Sequence, residues 1–408
     1  MQSGDLLESK ISKLSILSLA HACNDWYAVI IMILLPFLVA DGTIGIGQGA
    51  SLVTAFTVTS FLVQPLFGYL IDKKNNQWLY YFGTLFMALP LSLMGIVRSF
   101  PFLVLLASLA GIGNAMFHPF GSAKVSEMSS QKKGLYQAVF IALGNCGWAV
   151  TGLMLTPIIE KFGLNVTPYF ILPALFSTVL ILFTIPLPEP LSVEKNVTPT
   201  IQPLWLVLRP KLLNLSTIVF VTSLWSASFF GFISFLPLYI QHEKIAAATG
   251  NYFLMTMSIS SAIGVIFGGY ISDIIGRKVV IVLSMLAACP LYYFFLHSNS
   301  PEQYIFLALG SAFLFASFSA LIVVTQEAIR QNVALAAGLV LGFANGLGGV
   351  WIGLFGIVAD HKGLPFVIHA LVWLPLLAGV LALGIKDREY IEDSEFAKSD
   401  KPLSAVKS

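Results

Sequence analysis

Gly269-Tyr270-Ile271-Ser272-Asp273-Ile274-Ile275-Gly276-Arg277-Lys278 stands where one apolar run ends and another begins, and much of it occurs earlier as Gly68-Tyr69 with Asp72 and Lys73. The two copies lie 201 residues apart, and Leu35-Pro36 recurs as Leu236-Pro237 at the same offset. Further on, Gly134, Gly144 and Gly152 recur as Gly338, Gly348 and Gly356, offset by 204. Matches that keep their order run by run point to a duplicated chain, and repeats of this kind build carriers whose binding site lies near the membrane midplane between the halves.

Composition makes lipid the solvent. With 57% hydrophobic residues, 10% charged residues and a mean hydropathy of +0.85, the chain has too little polar surface to cover a soluble globule. A helix crosses a hydrocarbon core of roughly 30 Å with about 20 apolar residues. Twelve such runs follow one another, at about 14–40, 49–71, 78–98, 101–124, 134–159, 167–187, 212–240, 249–272, 278–297, 302–326, 333–358 and 364–385. The expected fold is an all-α membrane protein of twelve transmembrane helices in two pseudo-symmetric six-helix bundles. Residues 1–187 form the first bundle and 188–211 a cytoplasmic linker rich in Pro, Thr, Glu and Lys. Residues 212–388 form the second bundle and 389–408 a disordered cytoplasmic tail.

Lys and Arg set the orientation. With the N-terminus in the cytoplasm, eighteen of the twenty-two fall on that side, and only Arg98, Lys161, Lys244 and Lys362 fall outside. This asymmetry supports both termini on the cytoplasmic side, and the expected location is a bacterial-type inner membrane. The net charge of +2 is not pooled in one patch, so no nucleic-acid partner is expected. Cys23, Cys146 and Cys289 lie inside apolar runs without metal-site spacing and read as small core residues. The first run is too long for a signal peptide and reads as a retained helix.

Three constellations carry the functional reading. The first is the repeated junction. Gly68 and Gly269 allow close helix contact, Asp72 and Asp273 can accept from a neighbouring helix N-terminus or a guanidinium, and Lys73, Gly276, Arg277 and Lys278 hold the loop at the cytoplasmic face. Together they make a latch that exists in one state and breaks in the other; the plainer reading is a charged turn. The first copy is worn, with Asn75-Asn76-Gln77 in place of Gly-Arg-Lys.

The second is His21-Ala22-Cys23-Asn24-Asp25 in the first run. At 1.5 Å per residue, Asp25 lies roughly half way through the hydrocarbon. His21 and Asp25, at i and i+4, share a helix face with Asn24 beside them. A carboxyl group there is costly if ionised and unpaired, and water reaching it from one side at a time suits proton coupling. The alternative is a permanently paired cluster that pins helices together.

The third is Gly111-Ile112-Gly113-Asn114 through His118-Pro119 to Lys124 and Glu127 in the fourth run. Pro119 removes a backbone donor and predicts a kink beside His118. His118 either meets an anionic substrate or relays protons, or is a structural imidazole bonded to the freed carbonyl. Glu127 reads as a gate charge. Asn114, Asn145 and Asn345 are candidate cavity donors with Asn24. Trp225 and Tyr252 are candidate cavity walls, although aromatics in such helices are more often packed or lipid-facing.

The junction sequence resembles the loop signature of the major facilitator superfamily. His21-x-x-Asn24-Asp25, the His118-Pro119 segment and Lys133-Gly134 leading into Gly144-Asn145 look like that family's fosmidomycin-resistance branch. The resemblance implies a proton-driven efflux carrier with Asp25 and His118 at working positions. The fifth run departs from the family's antiporter pattern, ending in a late Thr156-Pro157 where Gly-Pro usually stands near the middle. The resulting expectation is a monomeric proton-coupled exporter of a small organic molecule, with no cofactor, no metal and no catalytic residue. Uptake symport of an organic anion or nutrient, export of a metallophore, and a polytopic enzyme or sensor stand as alternatives. No phosphate loop of the form Gly-x-x-x-x-Gly-Lys-Ser/Thr is present for ATP-driven transport.

Overall fold

Apolar side chains leave the backbone no partner in hydrocarbon, so each run must satisfy its N–H and C=O groups internally, and a helix does so. The computed structural model describes residues 3–74, 78–128, 131–184, 205, 208–245 and 247–387. The linker expected at 188–211 lies mostly outside the described residues, and the tail expected at 389–408 entirely outside them. All regular structure among them is helical.

In chain order the helices are α1 (Ile11–Ala40), α2 (Gly47–Lys73), α3 (Trp78–Leu93), α4 (Phe100–Glu127), α5 (Lys133–Phe162) and α6 (Leu164–Phe183). They continue as α7 (Arg209–His242), α8 (Thr249–Ile275), α9 (Arg277–His297), α10 (Glu302–Ala328), α11 (Val333–Lys362) and α12 (Leu364–Ala382). Eleven of these are long and apolar enough to cross a membrane, while α3 has a shorter apolar stretch, Tyr81–Leu93.

Prolines and glycines shape the rods. α2 breaks at Val63, where Pro65 cannot donate to the preceding turn, and Leu66 bonds instead to the Val63 carbonyl at 3.1 Å. α1 breaks at Val29, four residues past Asp25. α4, in contrast, runs unbroken through Pro119. Seven residues of α11, Gly338–Ala344, are wound as a π-helix. Gly276, between α8 and α9, has φ +98°, a conformation that side chains with a Cβ resist.

The loops after α2, α4, α8 and α10 carry the Lys and Arg clusters, and their end of the molecule is called the basic end. One buried core runs from the first six helices into the last six, taking in Ile71, Phe120, Phe140, Trp225, Phe318 and Val340. A second core, from Trp26 to Ala174, belongs to the first six helices alone and fills their part towards the opposite end. The halves are therefore joined at the basic end.

Glycine contacts follow the same division. A Cβ on Gly269 would stand 2.5 Å from the Ala138 Cβ, and one on Gly134 would stand 2.5 Å from the Gly269 carbonyl oxygen. In the opposite half of α5 and in the later part of α11, nothing lies within 4 Å of such an atom on Gly152, Gly349, Gly353 or Gly356. Leu153 is 80% exposed and Val350 60% exposed there.

Gly269→Val is expected to force α5 and α8 apart and to destabilise the fold by about 1–3 kcal/mol, lowering the thermal midpoint in detergent. Gly353→Val should leave the midpoint in place. Equal midpoints for the two variants would contradict this packing.

Candidate functional site

At the basic end, two carboxylates cross between the halves. Asp72 on α2 accepts the backbone N–H groups of Ala334 and Leu335, in the first turn of α11, at 3.0 and 2.8 Å. Asp273 on α8 accepts those of Gly134 and Leu135, in the first turn of α5, at 2.9 and 2.8 Å. The first amides of a helix have no intrahelical partner and carry the positive end of its dipole, so a carboxylate is a fitting cap.

The worn first copy caps as well as the complete second copy does, because the Asp alone makes these bonds. The second copy adds Arg277, 2.5 Å from Asp273 and 3.9 Å from Glu327, and donating to the Ser272 hydroxyl at 3.0 Å. Gly68 and Gly269 let the helices approach: a Cβ on Gly68 would overlap the Ala334 backbone. Lys73 lies over the Tyr69 ring at 5.4 Å. Glu127 pairs with Lys124 at 2.8 Å near the surface rather than joining either cap. Lys278 follows Arg277 in the first turn of α9.

Deeper in the first half, α1 places Asp25 fourteen residues from Ile11 and fifteen from Ala40, the middle of the rod. His21 Nδ1 bonds to the Phe140 carbonyl at 2.7 Å. A carbonyl only accepts, so Nδ1 carries the hydrogen, and Nε2 carries one only in the imidazolium form. That Nε2 is buried, has no hydrogen bond of its own, and lies 3.3 Å from Asp25 Oδ2. A bare nitrogen lone pair facing a carboxylate in an apolar interior repels it. One proton on either atom turns the contact attractive.

His118 on α4 completes the cluster, with Nε2 3.5 Å from Asp25 Oδ1 and 3.1 Å from Asn114 Oδ1. Asn24 donates to Asn114 Oδ1 at 2.7 Å and accepts from the Thr84 hydroxyl at 3.1 Å. Asn114 in turn donates to the Ser60 hydroxyl. The network thus draws on α1, α2, α3 and α4. Phe140 of α5 stacks on His21 at 4.0 Å, and Gly144 one turn on leaves the space: a Cβ there would stand 2.5 Å from His21 Cε1 and 2.6 Å from Asp25 Oδ2. The side chains of Asp25 and His118 remain 16% and 14% exposed. Among the described residues, no Lys or Arg is paired with the cluster.

The other candidate residues are placed differently. Asn145 is half-buried beside Gly144. Asn345 follows the π-helix, donating to the Leu341 carbonyl at 3.0 Å with its Oδ1 buried and unpartnered. Trp225 is packed in the core instead of lining a cavity: its indole N–H donates to the Leu314 carbonyl at 2.8 Å and its ring stacks on Phe318 at 4.2 Å. Tyr252 is 59% exposed, away from the cluster's hydrogen bonds.

Ser60, Thr84 and Gln64 were not singled out from the sequence, because Ser, Thr and Gln in apolar runs carry no distinctive spacing. Gln64 is fully buried with both amide atoms unpartnered, one helical turn beyond Ser60. Gln326 reaches across the halves to donate to the Ser122 hydroxyl at 3.0 Å, and Ser122 donates to Gln137 Oε1 at 3.1 Å. Separately, an open groove of about 490 Å³ runs along α2 and α4 past Ser51, Thr54, Thr59 and Ser108. Those hydroxyls are bonded to carbonyls of their own helices.

A family model described as Major Facilitator Superfamily matches residues 17–399. The fosmidomycin resistance protein of Escherichia coli (strain K12) is 28% identical over 383 residues, covering 92% of this chain and 93% of that protein. A probable nitrate transporter of Staphylococcus epidermidis is 25% identical over 173 residues, 42% of this chain and 44% of that one. Among solved structures, the Escherichia coli fucose:proton symporter matches with a TM-score of 0.73 at 14% identity, over 93% of this chain and all of that one. At that identity the match speaks for the fold.

The Gly144 contact yields a direct test. The infrared carboxyl band of Asp25, identified by its loss in Asp25→Asn, is expected to shift in Gly144→Ala and to stay in place in Gly152→Ala. An unmoved band in Gly144→Ala would contradict the contact.

Proposed function

We propose that this chain, which belongs to the Major Facilitator Superfamily, is a secondary active transporter that exports a small organic molecule in exchange for protons. In this reading twelve helices span the bacterial inner membrane, both termini are cytoplasmic, and the working unit is a monomer of two six-helix bundles, 1–187 and 212–388. The basic end is then the cytoplasmic face, by the bias of Lys and Arg towards that side.

The reading rests on one observation: the halves are held together at the basic end by reciprocal Asp caps and are parted at the other. With the cytoplasmic side shut, Asp25 and its two histidines are reached from outside. The cycle follows. His21 and Asp25 share one proton taken up from outside, the outer rods close, and the Asp72 and Asp273 caps release their helix ends. Water then reaches the cluster from the cytoplasm and removes the proton, and substrate moves outward on the other half-cycle. Asn24, Asn114 and His118 supply donors and acceptors beside the proton site, and Asn145 and Asn345 are further candidate donors.

Export is supported by the similarity to a resistance protein along nearly the whole chain. Uptake by symport is the second reading, supported by the partial similarity to a probable nitrate transporter. In proteoliposomes under an imposed proton gradient, the direction of substrate accumulation separates the two.

Asp25→Asn is expected to reduce proton-driven flux to the level of empty vesicles while the purified protein stays monodisperse. Unchanged pH-dependent flux in that variant would remove Asp25 from the mechanism.

A further inference from the structure

We propose that His21, Asp25 and His118 form a binding site for a divalent transition-metal ion of zinc's size and ligand preference. Each side chain offers one ligand atom, and the three atoms lie within 4.8 Å of one another. A tetrahedral ion with bonds of about 2.0–2.1 Å keeps neighbouring donors about 3.3 Å apart. His21 Nε2 stands 3.3 Å from Asp25 Oδ2, already an edge of that length, and His118 Nε2 stands 3.5 Å from the other oxygen of the same carboxylate, Oδ1. A turn of the carboxylate or a movement of His118 brings the second imidazole onto the same ion.

His21 is prepared for this role. A metal-bound imidazole characteristically donates its other N–H to a carbonyl or carboxylate, which fixes ring and tautomer. Here Nδ1 is held by the Phe140 carbonyl at 2.7 Å, and the free Nε2, on a residue 2% exposed, points at Asp25 with no hydrogen-bond partner.

The donor set selects the ion. Two imidazoles and one carboxylate suit zinc and its neighbours such as cobalt and nickel, whereas magnesium and calcium favour all-oxygen sets. The Asp25 charge offsets part of the ion's charge. Its exposed edge, with that of His118, leaves a fourth position for water. On binding, His118 would exchange its contact with Asn114 for the ion, while Asn114 keeps its bonds to Asn24 and Ser60. The site stands on geometry alone and does not require the transport cycle.

The test uses the full chain, purified in detergent through a tag that contains no histidine, with zinc ion as the only added ligand. Isothermal titration is expected to give one ion per chain, bound at least about tenfold more weakly in His118→Gln and in Asp25→Asn. The four remaining histidines, His242, His297, His361 and His369, replaced together by Gln, should leave binding intact. X-ray absorption of the unmutated protein with one equivalent of zinc should show two imidazoles in the first shell, a readout that holds even if a variant misfolds. Absence of saturable binding, binding that survives both single variants, its loss in the fourfold variant, or a first shell without imidazole would overturn the proposal.

Discussion

Asp72 and Asp273 each satisfy two amide groups at the start of a helix in the opposite half. Helix-start amides are orphans and a carboxylate in an apolar setting needs donors, so each side of these bonds answers the other's need, and Asp273 gains Arg277 besides. The seams around them depend on the same bonds. Gly68 sits against Ala334 and Gly134 against Gly269 only while the caps hold the helix ends in register. In the proposed cycle, water entering at the basic end replaces both partners when the caps release.

The halves repeat in backbone and differ in chemistry. Asp25 packs against Gly144, and 201 residues on, Ser226 packs against Gly348. Asn24 bonds Asn114 in the first half, whereas the corresponding Trp225 stacks on Phe318 in the second. One half keeps a buried polar network around Asp25. The other replaces it with an aromatic core. In the proposed cycle the protonation chemistry sits in one bundle and the other serves as its counterpart.

Single residues show how much was legible. That Asp25 is deep and shares a face with His21 follows from counting along one helix, and the structure sets the pair at 3.3 Å. The Asp of the repeated junction is expected to meet a neighbouring helix N-terminus or a guanidinium; Asp72 meets the former and Asp273 meets both. The first copy lacks the Gly-Arg-Lys end, yet its cap needs only the carboxylate. Pro119 removes a backbone donor beside His118, and α4 remains one continuous helix from Phe100 to Glu127 across it.

Composition and local period were enough for the solvent, the apolar runs and the place of Asp25 along its helix, because each depends on residues near one another in the chain, while the repeat is read from matches 201 and 204 residues apart. Tertiary structure alone decided that His118 joins Asp25, that Ser60 and Thr84 complete the network, that Trp225 faces the core, and that one end is shut. Those outcomes depend on how each helix is rotated about its axis and on which faces meet across the two halves. Rotation is set by packing between residues far apart in sequence, and no spacing within a single helix encodes it.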